Sequence, residues 1–317
     1  MSKYEPATKP TLYFIGVTTG KSSIMKVFPA WAEYLGLKDA VIKGMDFKLH
    51  DDPAAYREAV AFIRDDPMSM GALVTTHKID LFAACKDMFD VIDPHARLMD
   101  ETSCISKIDG KLICHAKDPI SSGLSIDGFL GENYFAETGA DLFSMGAGGS
   151  TIALTWHLMR RSRGDNVPGR IVVSNRSQHR LDEIRRIHAE VATDVPIEYV
   201  LAPKPEDNDA VLPTLKPGSL VINATGLGKD APGSPLSNAC VFPKKAVVWD
   251  LNYRGDLIFL DQARDQQVER DLQIVDGWTY FLHGWTQVIA EVFHIDIPTS
   301  GPSFDKISEI ALKAAGR

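Results

Sequence analysis

The sequence is poor in cysteine and has no long apolar run. Its four cysteines, among 317 residues, show neither CxxC spacing nor the density of a disulfide scaffold, which favours reduced thiols and argues against a zinc site. No stretch of 18 apolar residues occurs, and the polar opening MSKYEPATKP lacks the apolar run of a secretory signal. We therefore expect a cytoplasmic protein without a metal or a membrane partner, and a frayed tail over residues 1–10.

The chain also lacks an excess of positive charge. It carries 34 lysines and arginines against 42 aspartates and glutamates, which gives a formal net charge of -8. Nucleic-acid binders and proteins that bind acidic membranes need a basic surface, so both classes are disfavoured. The hydrophobic fraction of 44% is ordinary for a globular protein, and the length allows two domains. Any phosphate-binding site must therefore be local.

What the sequence does contain is a regular alternation of strand and helix patterns. Residues 11–118 begin with three apolar strand patterns separated by two helix patterns. Residues 140–277 add six strand patterns, several of them separated by helices, which predicts a parallel sheet covered on both faces. Two helix patterns, 278–293 and 303–315, follow without a further strand for them to flank. The predicted fold class is therefore α/β.

A glycine-rich turn, SMGAGGSTIALTWHLM at 144–159, stands between a strand pattern and a helix pattern. This order places amide N–H groups and the positive end of a helix dipole at one point, which suits a diphosphate. The glycines could instead serve only close packing of the helix. A later strand pattern that ends in INATGLG, 222–228, could line the same cofactor or simply end in a turn.

The strand after the glycine turn ends in VVSNRSQHR and meets no carboxylate before Asp182. An acidic residue at this point would bind the ribose 2′-hydroxyl of NAD, whereas amide, hydroxyl and guanidinium donors suit a 2′-phosphate. The donors are Asn175, Arg176, Ser177 and Arg180. The arginines could also form an ordinary solvated surface, but together with the glycine turn they predict NADP rather than NAD.

Two residues outside the dinucleotide unit are candidates for the chemistry. Hydride transfer between a carbinol and nicotinamide needs one group to exchange the hydroxyl proton and another to hold the oxygen. Lys78 follows the strand pattern GALVTTH, and Asp118 lies in CHAKDPISSG, between the two halves of the chain. A lysine at a helix start and an aspartate before proline are also common structural features, so these residue types alone leave both interpretations open.

Eight short motifs, in order, make the sequence resemble the shikimate dehydrogenase family from about residue 11 to residue 293. They are IGVTTGKSS, ALVTTHK, ETSC, AKDP, GAGGS, NRS, NAT and DLNY. The resemblance implies two domains, namely an N-terminal α/β substrate lobe completed by C-terminal helices and a Rossmann-type parallel-sheet NADP-binding domain. It implies a substrate-binding catalytic lobe over 1–118, the NADP-binding domain over 119–276, and C-terminal helices over 277–317 that return to the substrate lobe.

The resemblance also implies residue roles. Lys78 and Asp118 would be the catalytic pair, facing each other across a cleft that closes on substrate. The substrate contacts would be Ser22, Ser103, Tyr253 and Gln287, the last in place of the family glutamine that Gly284 replaces. The cofactor would be bound by Gly146, Ala147, Gly148, Gly149, Ser150, Asn175, Arg176, Ser177, Arg180, Asn223, Ala224, Thr225 and Gly277.

The substrate half departs from the family motifs. Ile24 replaces a serine that would hold the substrate carboxylate, and Lys21 replaces a histidine. Each unpaired buried polar group costs about 1 to 3 kcal/mol, so the lost contacts predict a changed substrate. Lys117, next to Asp118, would make the pocket more cationic or could equally be a solvated surface charge. The other departures are Ala72, Thr76, Ser103, Ala116, Pro119 and Gly284.

These observations predict an NADP-dependent oxidoreductase of the shikimate or quinate dehydrogenase type, the type that serves aromatic amino acid biosynthesis. Its substrate would be the carbinol or ketone of a small anionic cyclic carboxylate, not necessarily shikimate, and the protein would be a monomer or homodimer. A plain shikimate or quinate dehydrogenase is one alternative. A non-catalytic NADP-binding sensor or partner-binding protein, descended from the same family, is the other.

Overall fold

The computed structural model describes residues 4–229 and 231–317. The chain divides into two units. The first contains the described residues up to Lys117 together with Leu282–Arg317, and the second is Asp118–Phe281. The boundaries that the family resemblance implies, 118/119 and 276/277, stay a prediction. The first unit is therefore made of two separate stretches of chain, whereas the second is continuous.

The first unit is built on a six-stranded mixed sheet with the order β2-β1-β3-β5-β6-β4. The β3–β5 and β5–β6 pairs are antiparallel and the remaining pairs are parallel. The three strands predicted at the start of the chain are confirmed as β1 to β3. The strands are β1 (Thr11–Gly16), β2 (Val41–Asp46), β3 (Ser69–Val74), β4 (Val91–Ile92), β5 (Cys104–Ile108) and β6 (Lys111–His115).

The antiparallel hairpin of β5 and β6 was not foreseen in the sequence analysis. Its turn is Asp109-Gly110, and both residues have positive φ, 51° and 76°. Turns of this kind match the twist of a hairpin, and Asp-Gly between two alternating strand patterns is their usual sequence signal. The hairpin matters for the site because β6 ends at His115, two residues before Lys117.

The second unit contains a six-stranded sheet in which every pair is parallel. Its order is β12-β11-β10-β7-β8-β9, so the direction of winding reverses between β7 and β10. In open parallel sheets, ligands bind outside the carboxyl ends of the strands at such a reversal. The predicted Rossmann-type sheet is confirmed. Its strands are β7 (Leu142–Met145), β8 (Ile171–Asn175), β9 (Ile197–Leu201), β10 (Leu220–Asn223), β11 (Val247–Asp250) and β12 (Gln273–Val275).

Helices cover both sheets, and the last two belong mainly to the first unit, because only the first turn of α12 lies in the second. In chain order they are α1 (Ile24–Tyr34), α2 (Pro53–Asp65), α3 (Lys78–Cys85), α4 (Pro94–Met99), α5 (Asp118–Phe129), α6 (Tyr134–Thr138), α7 (Gly149–Met159), α8 (Gln178–His188), α9 (Pro205–Asp209), α10 (Ile258–Arg264), α11 (Gln267–Arg270), α12 (Trp278–Phe293) and α13 (Gly301–Ala315).

The C-terminal helices pack into the core of the first unit. The indole N–H of Trp31, on α1, donates to the carbonyl of Ile307, on α13, at 2.9 Å. The ring of Trp285, on α12, meets that of Phe14, on β1, edge to face with centroids 4.9 Å apart. These contacts explain why two helices without a strand of their own follow the second sheet: they complete a core that the start of the chain opens.

The expectation of a frayed N-terminal tail is wrong for residues 4–10. The ring of Tyr4 lies 5.2 Å from that of Phe62, and the Ala7 N–H donates to the Asp66 carboxylate at 2.8 Å. A buried carboxylate and an aromatic surface therefore fix a segment whose polar composition suggested disorder. Residues 1–3, also part of that expectation, lie outside the described residues.

The cysteines agree with the sequence analysis, since all four are free and buried. Burial raises the pKa of Cys85 and of Cys114 to about 12, which keeps both as thiols at neutral pH. Over residues 4–229 and 231–317, no helix has both the length and the apolar character needed to span a bilayer. Over the same residues, no three His, Cys, Asp or Glu side chains are grouped so that they could hold a metal ion.

Trp31→Phe tests the attachment of the C-terminal helices. The change leaves the Ile307 carbonyl without its indole donor, so the free energy of unfolding should fall by about 1–3 kcal/mol. Urea unfolding of the full chain measures the loss. Tyr34→Phe, on the same helix and 45% exposed, is the control and should stay within about 0.5 kcal/mol of the parent. Equal stability of the two variants would contradict this role for Trp31.

Candidate active site

The glycine turn lies at the reversal point of the second sheet. Gly146 follows β7 with φ of 106°, a conformation that residues with a side chain rarely adopt. A Cβ at Gly146 would lie 2.7 Å from the Ala224 carbonyl oxygen, which follows β10. Only glycine lets the turn pass this close to the end of the neighbouring strand. The backbone of the turn is therefore held by main-chain packing and by the Thr151 hydroxyl, which donates to the Gly146 carbonyl at 2.6 Å.

The first turn of α7 presents its amide groups at the same edge. Gly148 is the N-cap in extended conformation, and no side chain caps the helix within the described part of the chain. A Cβ placed on Gly148 would meet no atom within 4 Å, so a ligand can approach the backbone there. Amide N–H groups at an uncapped helix start, backed by the helix dipole, suit a diphosphate. The Tyr280 hydroxyl lies 3.4 Å from the Ser150 hydroxyl at this turn.

The residues expected to bind a 2′-phosphate lie together after β8, but they are not equivalent. Arg176 is exposed. Arg180 forms a 2.6 Å ion pair with Glu183, three residues later on α8. The Asn175 side chain donates to the Ser177 carbonyl at 3.3 Å, which bends the chain between strand and helix. Of the two guanidinium groups, that of Arg180 is therefore already committed to a carboxylate, and Arg176 is the better phosphate donor.

Asn223, at the end of β10, joins the loop after β10 to the end of β11 through hydrogen bonds of its side chain. It is fully buried, and its amide donates to Asp250 at 3.0 Å and to the Leu227 carbonyl at 3.2 Å. Its oxygen accepts the Thr225 hydroxyl at 2.6 Å. Burial raises the pKa of Asp250 to about 6, against the lowering effect of its bonds to Asn252 and Asn223. Asn223 thus fixes the shape of the loop that carries the NAT motif.

Gly277 also occupies a position that only glycine fits. A Cβ there would lie 2.1 Å from the Leu251 carbonyl oxygen, and the Gly277 N–H donates to the Asn252 carbonyl at 3.0 Å. The chain after β12 is thereby held against the end of β11. Tyr253, on the loop that follows β11, packs against Trp278 and Phe281, with ring centroids 5.4 and 4.7 Å apart. Its phenol ring is thus oriented by aromatic contacts within the second unit.

In the first unit, Lys78 is the first residue of α3, and its carbonyl accepts the Thr102 N–H at 3.1 Å. The preceding residue, His77, is 1% exposed and bonds the Tyr56 hydroxyl through Nδ1 at 2.9 Å. Burial lowers the pKa of His77, although the Gly16 carbonyl opposes the shift, so its imidazole is neutral at pH 7. The candidate ammonium therefore follows a fixed, uncharged ring, which the sequence analysis did not single out.

Thr76 explains one departure from the family motif. It has φ of 50°, and the His77 N–H bonds back to the Thr75 carbonyl across it. A three-residue turn of this kind is strained, and proline, whose φ is fixed near -65°, cannot adopt it. The change from proline to threonine in ALVTTHK therefore alters the path by which the chain enters α3 and Lys78.

The serine motif at the start of the chain is altered in its chemistry. Ser22 closes a short 3₁₀ turn and is half-buried, whereas Ile24, in place of the second serine, is 0% exposed in the core. A carboxylate, Asp46, accepts from both the N–H and the hydroxyl of Thr19 in this turn, at 2.9 and 2.5 Å. Lys21 lies in the same turn and is exposed. The turn that ends at Ser22 therefore also contains a lysine, Lys21, and is bonded to an aspartate, Asp46.

Lys117 is neither a solvated surface charge nor an uncompensated cation. Its ammonium forms an ion pair with Glu291, on α12, and the exposed fractions of the two side chains are 13% and 25%. The Lys117 N–H donates to the Ser103 hydroxyl at 2.7 Å. Burial raises the pKa of Glu291, yet the bond to Lys117 and the charge of His115 hold it below its usual value. The expectation of a more cationic pocket is therefore wrong as far as Lys117 is concerned.

The ion pair is connected to a series of buried polar side chains that the sequence analysis did not predict. His115 lies 3.4 Å from Glu291 through Nε2 and 3.3 Å from Asp93 through Nδ1. Its Nε2 is also 2.8 Å from the Ser106 hydroxyl. Serine, histidine and aspartate in series suggest a hydrolase triad, but Ser106 is 0% exposed, so no ester can reach its hydroxyl. This series of buried polar side chains therefore stabilises the end of β6.

Gln287 and Glu291 share one face of α12. Together with Gly284, they form a stripe of partly exposed positions between buried ones, spaced three and four residues apart. Glu291 could have been found from this spacing, because it lies one turn beyond Gln287. Within the first unit, Ser103, Lys117 and Glu291 thus belong to one connected group, and Gln287 lies one helical turn from Glu291. Asp118 opens α5 in the second unit, so its pairing with Lys78 stays a prediction.

We compared the sequence and the fold with those of known proteins. No protein-family model matches the chain. Over 191 residues it is 26% identical to the NADP(+) shikimate dehydrogenase of Lactococcus lactis subsp. cremoris, and over 195 residues it is 28% identical to that of Streptococcus gordonii. These matches cover 59% and 61% of the chain, and 63% and 62% of the relatives, which is less than two thirds of their length.

The fold is matched over nearly the whole chain. Shikimate dehydrogenase from Aquifex aeolicus superposes with a TM-score of 0.71 at 17% identity, covering 98% of this chain and 100% of that one. The enzyme from Thermus thermophilus, solved with NADP(H) and shikimate, gives 0.69 at 19% identity and covers 96% and 99%.

The chain is similar to the shikimate dehydrogenases in sequence over about 60% of its length and in fold over nearly all of it. The same fold also serves the 5-ketofructose reductase of a Gluconobacter strain, which superposes with a TM-score of 0.66 at 17% identity over 96% of this chain and 98% of that one. The fold therefore does not select the substrate.

Asp250 predicts a pH dependence of stability. Its folded-state pKa of about 6 lies above the ordinary value of 3.8, so the folded chain keeps a proton that the unfolded chain releases. Its contribution to the free energy of unfolding is therefore present below about pH 4 and is lost as the pH rises to 6, a fall of about 3 kcal/mol. Asp250→Asn should remove this decline.

Urea unfolding of the parent and the variant at a series of pH values between 4 and 7 measures the difference. Asp261→Asn, at a side chain that is 61% exposed, serves as the control and should keep the parental slope. Parallel curves for the parent and Asp250→Asn would show that Asp250 is ionised in the folded chain at pH 4 and above.

Proposed function

We propose that this protein is an NADP-dependent oxidoreductase that transfers hydride between nicotinamide and a carbinol or ketone carbon of a small cyclic carboxylate. The observation that carries the proposal is the glycine turn at the reversal point of the parallel sheet, followed by Arg176 where NAD-binding sheets place an acidic residue. The curated relatives are named as NADP(+) enzymes. Shikimate and quinate are the first substrates to test.

The second unit would hold the cofactor. Residues 146–150 would bind the diphosphate through backbone N–H groups, and Arg176 the 2′-phosphate, with Asn175, Ser177 and Arg180 beside it. Ala224, Thr225 and Gly277 would border the nicotinamide. When bound, the nicotinamide supplies the hydride donor or acceptor. The residues themselves bind and orient it, and the fit is supported by the open approach to Gly148 and the uncapped start of α7.

Lys78 and Asp118 would handle the substrate oxygen. In the oxidation direction, the carbinol carbon gives up a hydride while one of the two groups takes the hydroxyl proton and the other holds the oxygen. The neutral His77 ring and the bond from Thr102 fix the backbone of Lys78, which favours a defined position for its ammonium. A cytoplasmic location and a monomeric or homodimeric state stay predictions.

The substrate carboxylate would be bound by the 3₁₀ turn of Ser22 and Lys21, because Glu291 neutralises the charge of Lys117. Because Ile24 offers no hydroxyl and Asp46 lies in contact with the same turn, this end should bind a carboxylate more weakly than a pair of serines would. The proposal therefore does not depend on shikimate as the substrate.

A non-catalytic NADP-binding sensor is the second candidate. Apolar or small residues at family polar positions, Ala72 and Gly284, are what a binder without substrate would carry. A screen of cyclic hydroxy acids, ketoacids and ketones, followed by the absorbance of NADPH, separates the two candidates. Tight NADPH binding without turnover of any compound would favour the sensor.

Lys78→Ala tests the chemical role. With a substrate from that screen, kcat should fall by about 10³-fold, because a positioned proton-transfer group contributes on the order of 10²–10⁴. Affinity for NADPH, measured by fluorescence titration, should stay within about threefold, since Lys78 lies outside the cofactor unit. Lys86→Ala, at the end of the same helix, is the matched control. Near-normal kcat in Lys78→Ala would remove the lysine from the mechanism.

Arg176→Ala tests the cofactor choice. Loss of a charge-assisted bond should weaken NADPH binding by about 10- to 100-fold and leave NADH binding nearly unchanged. Arg180→Ala should have a smaller effect, because Arg180 is paired with Glu183. Titration of both variants with both nucleotides measures the ratio. An unchanged preference in Arg176→Ala would mean that the arginine belongs to a solvated surface.

A further inference from the structure

We propose that Tyr280 is a positioning residue for the cofactor diphosphate and that it acts through the hydroxyl group of Ser150. The inference rests on the proposed function, because it concerns the same glycine turn. It adds a residue that the sequence analysis did not assign to any site. The starting observation is that the Tyr280 hydroxyl donates to the Ser150 hydroxyl at 3.4 Å, within the second unit.

Ser150 has a hydroxyl proton that a ligand can accept. The residue lies in the first turn of α7 and is partly exposed, and the N-cap Gly148 is exposed. Ser150 accepts from Tyr280, and within residues 4–229 and 231–317 no group accepts the proton of its hydroxyl. A hydroxyl with a proton to donate, next to backbone N–H groups at an uncapped helix start, suits an oxygen of the diphosphate.

Tyr280 determines the direction of that proton. A serine hydroxyl rotates and is both donor and acceptor, so a bond that it accepts from a second hydroxyl restricts where its own proton can point. Because Tyr280 donates to Ser150, the Ser150 proton is directed to another acceptor, which in the proposed complex is a phosphate oxygen. Hydrogen bonds in series also strengthen one another, so the 3.4 Å bond should shorten when the diphosphate binds.

The tyrosine ring is held in place by packing within the second unit. Tyr280 belongs to the first turn of α12, where the Phe281 N–H donates to the Gly277 carbonyl at 2.9 Å. The Tyr280 ring meets that of Trp249, on β11, edge to face with centroids 6.0 Å apart. Trp249 is 1% exposed and contacts the ring of Phe129, on α5, at 5.1 Å. The phenol is therefore oriented before a ligand arrives, which lowers the entropy cost of using it.

The experiment uses three nucleotides that share different parts with the cofactor. NADP carries the diphosphate and the nicotinamide, 2′-phosphoadenosine diphosphate ribose keeps the diphosphate without the nicotinamide, and adenosine 2′-phosphate has neither. Binding of each nucleotide to the full chain is measured calorimetrically. The proteins are the parent, Tyr280→Phe, Ser150→Ala and the variant that combines both changes.

The expected pattern separates the diphosphate from the rest of the cofactor. Ser150→Ala should weaken both diphosphate compounds by about 10-fold, because it removes a bond to a charged group, and Tyr280→Phe should weaken them by about fivefold. Adenosine 2′-phosphate should bind all variants within about twofold of the parent. The combined variant should stay within about twofold of Ser150→Ala, because Tyr280 has no route to the ligand once the serine hydroxyl is gone.

Tyr134→Phe is the matched control for loss of a tyrosine hydroxyl. The Tyr134 hydroxyl donates to the Gly218 carbonyl at 2.6 Å, in the same unit. Gly218 precedes β10, whereas the glycine turn follows β7, so the two lie at opposite edges of the parallel sheet. Tyr134→Phe should therefore bind all three nucleotides with affinities within about twofold of the parental values.

Each other outcome has a distinct meaning. Parental affinity of Tyr280→Phe for the diphosphate ribose, or equal weakening of all three nucleotides, would overturn the inference. Multiplied effects in the combined variant would also overturn it, because Tyr280 would then act independently of Ser150. Failure of the parent to bind NADP would overturn both the inference and the proposed cofactor. The expected pattern, without turnover of any compound in the substrate screen, would uphold the inference and contradict the proposed oxidoreductase.

Discussion

The contact between the end of β6 and α12 is the interaction on which the substrate side of this protein depends. Lys117 and Glu291 lie 174 residues apart in the chain, and both are largely removed from water. Half-buried charges are stable only when paired, so neither can be removed without disturbing the other. Through His115 the same contact reaches Asp93 at the start of α4. It thereby fixes the segment from which the chain continues into Asp118.

The two units tolerate sequence change to different degrees, for a physical reason. In the proposed function the edge of the second sheet would bind the diphosphate through main-chain groups, and its shape is set by close approaches such as that of Gly146 to Ala224 and by the bond between Asn223 and Asp250. A site of this kind survives replacement of most surrounding side chains. The proposed substrate side would recognise its ligand through side-chain groups, which single substitutions remove. This difference accounts for a cofactor half that keeps the family motifs beside a substrate half that departs from them.

Much of the fold could be predicted from local patterns. The buried strands of the parallel sheet appear as short apolar runs, and the glycine turn marks the helix start after β7, so these elements were found. The hairpin of β5 and β6 was not predicted, although its strands of five residues flank an Asp109-Gly110 turn of the usual hairpin type. The pairing of Lys117 with Glu291 could not be predicted, because it depends on a helix that returns from the far end of the chain. Burial of the partner decides whether such a lysine is a ligand, a surface charge or half of an ion pair.

The return of the C-terminal helices has a consequence for how the protein is made. The second unit is one continuous segment, Asp118–Phe281, and can fold as soon as it leaves the ribosome. The first unit cannot, because Trp285 and Ile307, which contact Phe14 and Trp31, are synthesised only after the second unit. Its early strands must therefore wait with an apolar face uncovered throughout the synthesis of the other unit. Slow translation or premature termination after residue 281 would leave that face exposed to chaperones and to aggregation.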